Sequence, residues 1–451
     1  MTECTQESFE FAAHFSREVV ARFDGGTMTS DGGAVLLREA ERRVNLLARL
    51  AGCFDDRRKP WLIEHSVAEM VAQRVYALAL GYEDLNDHDE LRADPLLAVL
   101  SGKRAAGEQK LAGKSTLNRL ELSTEKADRY KKIECRQAAI DELLISVFLE
   151  AHSAPPESIV LDLDATDLPL YGHQEGRFFH GYYDEYCYLP LYIFAGEHLL
   201  CARLRTADQD AAAGSKTEVE RIVAQIRAAW PETLITVRAD SGFCREELMQ
   251  WCETNNAYYV LGCARNERLL RLIELQLAEA ARLHKQTGKA ARVFTEFDYQ
   301  TRESWSRARR VVAKAEQLDG KANPRFVVTN LTAEQWAEQA LYEQLYCARG
   351  EMENRIKEQL SLFATRVSAE SMRANQLRLS FAGCAYVLLH ALRRLGLQGT
   401  ELEHAQATTI RLKLLKLGAR IRITARKVWL SLAASFPLQA LFEQAWRQLR
   451  C

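Results

Sequence analysis

Two short runs do most to limit the fold. Ile159-Val-Leu-Asp-Leu-Asp-Ala-Thr-Asp167 alternates, so that as a strand it puts Asp162, Asp164 and Thr166 on one face and Leu161, Leu163 and Ala165 on the other. Leu234-Ile-Thr-Val-Arg-Ala-Asp240-Ser-Gly-Phe is an apolar strand with an Asp at its carboxyl end, followed by a Gly turn and a helical pattern. Ligand sites in open α/β sheets form at such strand ends. The antiparallel hairpin pattern between the two runs, Tyr186 to Ala195 and Leu199 to Arg205 about Gly196-Glu197, and the amphipathic stretch Lys216 to Trp230 predict a mixed sheet with helices.

A third acid comes from a helical pattern. At about 100° per residue, Tyr346, Arg349, Glu353 and Lys357 fall within about 80° of one another, and Glu351 falls on the other side. A carboxylate between cations and a phenol suits a divalent metal beside a phosphate backbone, although a solvated helix with ordinary charge pairs carries the same residue types. Acids from two strands and a helix could together hold two divalent cations, as in-line phosphoryl transfer requires.

Partner signals have to come from clusters, because the 451 residues carry a formal charge of only −1, from 60 basic and 61 acidic side chains. Eleven Cys without a Cys-x-x-Cys pair disfavour a zinc ribbon and predict reduced, mostly buried thiols, which suits a cytoplasmic protein. No run has the pattern of a signal peptide or the length of a membrane span.

Toward the amino terminus the pattern is helical. Ser30 or Asp31 is placed to cap a helix through Val35, Leu36, Leu37 and Ala40, and a longer helix is predicted from Trp61 to Leu80, stopping at Gly81. Tyr82 to Pro95 is acid-rich without a regular ligand loop and reads as solvated. Gly113-Lys-Ser-Thr116 fails as a phosphate-binding loop, since Glu108 stands where that motif needs Gly. It reads better as a capped helix, Ser115 to Glu121, after a basic loop of Lys103, Arg104, Lys110 and Lys114. With Asn118 and Arg119 exposed, this is either the reading helix of a DNA-binding unit or a plain surface helix. Lys126 to Lys132 adds positive charge, and Ala154-Pro-Pro156 marks a boundary.

Between the second and third acids, Ala291 to Tyr299, Ser306 to Ala315 and Arg325 to Thr329 alternate as strands. Trp305, among Arg302, Arg307, Arg309 and Arg310, could stack on an unpaired base or simply pack at a strand start. Met372 to Leu395 is a long apolar helix suited to covering a sheet. Arg411 to Lys427 holds no acid, and Arg420 and Arg422 alternate with Ile421 and Ile423, giving a basic face on a strand or a helix that could follow a DNA backbone or a partner surface.

Four segments occur in a telling order: Leu161-Asp-Leu-Asp-Ala-Thr-Asp, Tyr186-Cys-Tyr-Leu-Pro-Leu-Tyr-Ile-Phe-Ala-Gly, Arg238-Ala-Asp-Ser-Gly-Phe and Tyr346-x-x-Arg-Gly-x-x-Glu-Asn-x-Ile-Lys-Glu. They resemble those of DDE transposases of bacterial insertion sequences, in particular the thirteen-eighty family within the wider insertion-sequence-four group, from about Phe23 to Phe442. The resemblance implies an α/β, ribonuclease-H-like catalytic core over 156–266 and 331–396 with a β-rich insertion over 267–330. A helical DNA-binding region over 1–155 and a basic region over 397–451 would flank it. It implies catalysis by Asp164, Asp240 and Glu353 on two Mg2+ or Mn2+ ions, with Tyr346 and Arg349 at the DNA phosphate. The wider group's signature Lys falls on Leu360 here, so Lys357, one turn earlier, is the substitute. DNA contacts are expected from Lys114, Asn118, Arg119, Trp305, Arg420 and Arg422.

The expected action is cleavage at the terminal inverted repeats of the protein's own element and joining to double-stranded target DNA, by a homodimer on the DNA, in the bacterial cytoplasm. A stand-alone metal-dependent nuclease would use the same acids without joining strands. A binding-only descendant would hold DNA ends without catalysis.

Overall fold

The computed structural model describes residues 8–450 apart from 104, 105, 107, 108, 125, 127, 128 and 130, so Arg104 of the basic loop lies outside the described residues. The chain divides into two compact units, residues 135–383 and residues 1–134 with 384–451. The second division falls inside the helix Met372–Gly396.

The unit of residues 135–383 is built on one sheet. Its strands are β1 (Ser158–Ala165), β2 (Leu191–Ala195), β3 (His198–Arg203), β4 (Leu234–Ala239), β5 (Tyr258–Cys263), β6 (Ala291–Tyr299), β7 (Arg309–Leu318), β8 (Lys321–Ala322) and β9 (Arg325–Thr329). Their order is β3-β2-β1-β4-β5-β9-β7-β6, with β8 on β7. β4 runs parallel to both β1 and β5, while the remaining pairs are antiparallel, giving a mixed α/β unit. The strands between the second and third acids therefore extend the same sheet through β5 and β9. Its helices include α1 (Gln137–Glu150), α2 (Ser215–Ala229), α3 (Glu246–Thr254), α4 (Glu274–Thr287) and α5 (Gly350–Ser361).

Alternation along the strands explains why the sheet is covered twice. Leu161, Leu163, Val237, Ala239, Tyr259 and Leu261 point into one core with residues of α2 and α3, among them Ile222 and Met249. Val260, Val312 and Val327 point the other way, against Leu341 and Tyr342. Strands buried on both faces need near-continuous apolar runs, which these are. Leu163 is fully buried, and truncating such a side chain to Ala costs about 2–5 kcal/mol.

The predicted run Tyr186 to Ala195 is interrupted. Glu185–Tyr188 pairs with Phe178–His180 and Leu168–Pro169 in a separate small sheet, and the main sheet resumes only at Leu191. The break falls at Pro190, which has no N–H to give to a ladder. The turn to β3 is where predicted, with Gly196 at φ +57°.

In the other unit, Val67–Leu80 is a buried helix that starts later than expected. Ser66 and Glu69 form a reciprocal capping box at its start, while Trp61 and Leu62 are exposed in a short turn before it. Its last carbonyl region is closed by buried Arg411, whose Nε donates to the Ala79 carbonyl at 3.0 Å. Asp31 does not cap the helix Val35–Val44; its carboxylate accepts from Tyr82 at 2.6 Å and pairs with Lys416 at 2.7 Å. The acid-rich stretch also differs from a merely solvated loop. Asp94 caps Pro95–Leu100, and Asp89 accepts from the backbone N of Lys114 at 3.1 Å, capping Lys114–Glu121 in place of the expected local cap.

Candidate active site

The site grows from the register of β1 against β4. That register sets Asp162 beside Arg238, two charged residues in apolar strands. The carboxylate and guanidinium form a two-pronged pair at 2.5 and 2.7 Å, with both side chains buried. Burial holds the Asp162 carboxyl above its usual range despite the pull of Arg238. The third arm of Arg238 donates to the Leu345 carbonyl, which ties the strand to the segment leading into Tyr346. Asp162 is thus taken by Arg238, which leaves Asp164, two residues along on the same face, as the strand's candidate acid.

Burial pushes the Asp164 carboxyl up to about 6; Arg349 opposes this, while the negative charges of Asp240 and Glu353 add to it. The three acids singled out in the sequence therefore lie in one electrostatic neighbourhood. Glu351, on the other side of the helix, acts instead on Asp162. Asp240 follows β4 directly, and its Oδ1 accepts from the Gly242 N at 2.8 Å, capping the turn Ser241–Phe243. Arg349 stands between the other two acids, its Nη1 3.1 Å from Asp164 and its Nη2 4.0 Å from Glu353.

Among the described residues no three His, Cys, Asp or Glu side chains are grouped to hold a metal ion. The donor set nonetheless fits Mg2+ or Mn2+ in kind: carboxylate oxygens within electrostatic reach of one another, for cations that need only one or two protein carboxylates and keep several waters. A divalent cation there would offset the cost that burial, and to a lesser extent Asp240 and Glu353, place on the ionised form of Asp164.

The segment bearing Tyr346, Arg349 and Glu353 departs from the uniform helix assumed in the angular count. Leu341–Tyr346 is widened to π-helical pitch, Cys347–Arg349 is tightened to a 3-10 turn, and α5 follows. Wide turns of this kind are frequent at functional sites. The Tyr346 hydroxyl reaches across to β5, where a Cβ on Gly262 would lie only 2.7 Å from it and 2.8 Å from the Ser241 N. Only glycine permits that approach. Lys357 is exposed on α5 and makes no ion pair among the described residues.

Of the other predicted DNA contacts, Trp305 is corrected. It is 6 % exposed, packs edge-on to Tyr299, and lies under Arg309, so its ring is core rather than a platform for a base. Its neighbours are committed as well: Arg309 to Glu246 and Glu253, Arg307 to Glu253, and Arg310 to Glu296.

In the other unit, Asn118 and Arg119 are exposed on Lys114–Glu121, and Lys114 pairs with Asp89 at 3.1 Å. Arg420 and Arg422 lie on a strand, Ala419–Ile423, whose hairpin partner Val428–Leu432 sets exposed Trp429 opposite Arg422. The strand alternative is the one realised. Arg238 and Gly262 were missed by sequence reasoning; a lone Arg two residues before the strand-end Asp was the available signal for the first.

A family model described as transposase DDE domain group 1 matches residues 11–451. No curated protein matches. Among solved structures, a piggyBac transposase synaptic complex with hairpin DNA is similar at a TM-score of 0.41 and 10 % identity, over 86 % of this chain and 80 % of that one, too distant a likeness to argue from.

Proposed function

The chain belongs to the DDE transposases, and on that premise we propose that it binds the terminal inverted repeats of its own insertion sequence, cleaves the ends and joins them to target DNA. The observation that carries this reading is the convergence of Asp164 and Glu353 on Arg349, at 3.1 and 4.0 Å, beside the strand-end Asp240, where burial and the neighbouring carboxylate charges push the Asp164 carboxyl up. Such a cluster is costly to maintain unless used. We assign Asp164, Asp240 and Glu353 as the ligands of Mg2+ or Mn2+, two ions per site. When bound, the cations supply charge neutralisation at the phosphate and a more acidic water or hydroxyl nucleophile.

The residues themselves then have defined tasks. Arg349, released from Asp164, neutralises a non-bridging phosphate oxygen, for which a guanidinium is geometrically suited. The Tyr346 hydroxyl, kept protonated by burial, donates a hydrogen bond beside it. Arg238 and Asp162 position the segment that carries both. Lys357 on α5, and Lys114, Asn118, Arg119, Arg420 and Arg422 in the other unit, are assigned to the DNA backbone. A ribonuclease-H-like core, placement within the thirteen-eighty family and action as a homodimer on DNA belong to the same proposal.

The test uses the full chain with duplexes carrying the inverted repeats that flank its reading frame. With Mg2+, nicking at the repeat ends and strand transfer dependent on a free 3′-hydroxyl are expected; cutting without joining would make it a nuclease. Asp240→Ala should keep end binding and lose cleavage, and unchanged cutting by that variant refutes the assignment.

A further inference from the structure

Beside the acids lies a cavity of about 410 Å3, lined by Ser241, Gly262, Arg265, Asn323, Arg325 and Tyr346 among others. Its position follows from topology. β4 and β5 are parallel, so Ser241 and Arg265 leave the sheet on the same side, just past the carboxyl ends of the two strands. β9 is antiparallel to β5, with Cys263 opposite Phe326, so Arg325 at the start of β9 comes to the same edge.

Among the described residues, no acidic side chain lines this cavity. Arg265 and Arg325 are exposed and make no ion pair among the described residues, unlike the arginines at Trp305. Tyr346 connects the cavity to the acids, since its hydroxyl feels Asp240 and Arg325 together. A strongly anionic cluster thus adjoins a pocket whose charged groups are two uncommitted guanidiniums. Both are exposed at the carboxyl edge of a sheet, where ligands bind.

We propose that this cavity receives one nucleotide of the DNA strand next to the reacting phosphate, with that nucleotide's phosphodiester held by Arg265 and Arg325. Guanidinium groups match phosphate oxygens in two-pronged geometry. Asn323, Ser241 and Tyr346 offer hydrogen-bonding groups for the sugar or base. The inference rests on the transposase reading for the identity of the strand, and assigns two residues that no sequence motif marked.

The test is binding by the full chain to its inverted-repeat duplex, without metal, so that it is read independently of cleavage. Single methylphosphonates, which remove one backbone charge at a time, are scanned through the phosphates flanking the cut. In the wild type, neutralising one phosphate other than the scissile one should weaken binding about tenfold, the scale of a lost charge-assisted contact. In R265A/R325A that penalty should disappear, and the salt slope of log K should fall by about one. R265K/R325K should restore the slope in part. If the double variant keeps both the penalty and the slope, the cavity assignment is overturned, while wild-type cleavage in Mg2+ separately upholds the transposase reading. Wild-type binding without any cleavage would fail that reading and leave the methylphosphonate comparison to decide the cavity. An unchanged melting temperature of R265A/R325A excludes misfolding as the cause.

Discussion

Asp164→Asn isolates the cost of keeping a charge in the site. The carboxyl moves from 3.8 to about 6 on folding, so the folded protein binds the proton more tightly than the unfolded chain. For a raised group, the stabilising contribution is fully present below the unfolded value and is lost as pH rises through the folded one. Above about pH 7, ionised Asp164 therefore destabilises the unit by about 2 × 1.4, or roughly 3 kcal/mol. Linkage leaves about half of that at pH 5 and little at pH 4 or below.

Asn resembles the protonated acid at all pH values. The variant should exceed the wild type by up to about 3 kcal/mol at pH 8, a melting shift of roughly 6–12 °C for a unit of this size, and by little at pH 4. Differential scanning calorimetry at pH 8, 5 and 4 is the assay. Mg2+ should raise the melting temperature of the wild type at pH 8, because a cation offsets the buried negative charge, and should do so far less for the variant. A variant advantage that is the same at all three pH values would refute the argument from a buried, ionised Asp164. So would a variant that loses stability only at pH 8, which would mean that the ion pair with Arg349 outweighs burial.

Asp162→Ala should be among the most damaging single changes in the 135–383 unit. It strands a buried guanidinium, at about 3–5 kcal/mol, measurable by urea unfolding, whereas a loss under 1 kcal/mol would argue that Arg238 is not held as described. Trp305→Ala should cost about 3–5 kcal/mol, yet leave DNA affinity unchanged where both proteins are folded; a selective loss of single-strand binding would restore the stacking role. R420A/R422A should lower the salt slope of DNA binding by about two with cleavage chemistry per bound complex intact, and an unaltered slope would remove this strand from the interface.

Much of the site was legible because its signals are local. An alternating run that ends in acid, or an apolar run followed by Asp-Ser-Gly, announces a strand and its exit without reference to the rest of the chain. The helical spacing of Arg349 and Glu353 likewise survives, since the two meet in the fold. The exact phase from Tyr346 was not legible, because the segment changes pitch twice before Gly350 under the demands of packing on β5. Nor could the fate of Trp305 be read, since an aromatic among arginines looks the same whether or not distant glutamates neutralise them.

The sequence by itself determined that there would be strands ending in Asp164 and Asp240, a helix presenting Glu353, and a basic alternating face near Arg420, left open between strand and helix, because side-chain periodicity is a property of neighbours. Only the tertiary structure decided that Asp162 is taken by Arg238, 76 residues away, that Asp89 and Arg411 close helices far from them in the chain, and that Arg265 and Arg325 share one cavity. Those outcomes depend on strand register and order, which are fixed by how whole surfaces bury against each other and leave no mark at spacings of two or four residues.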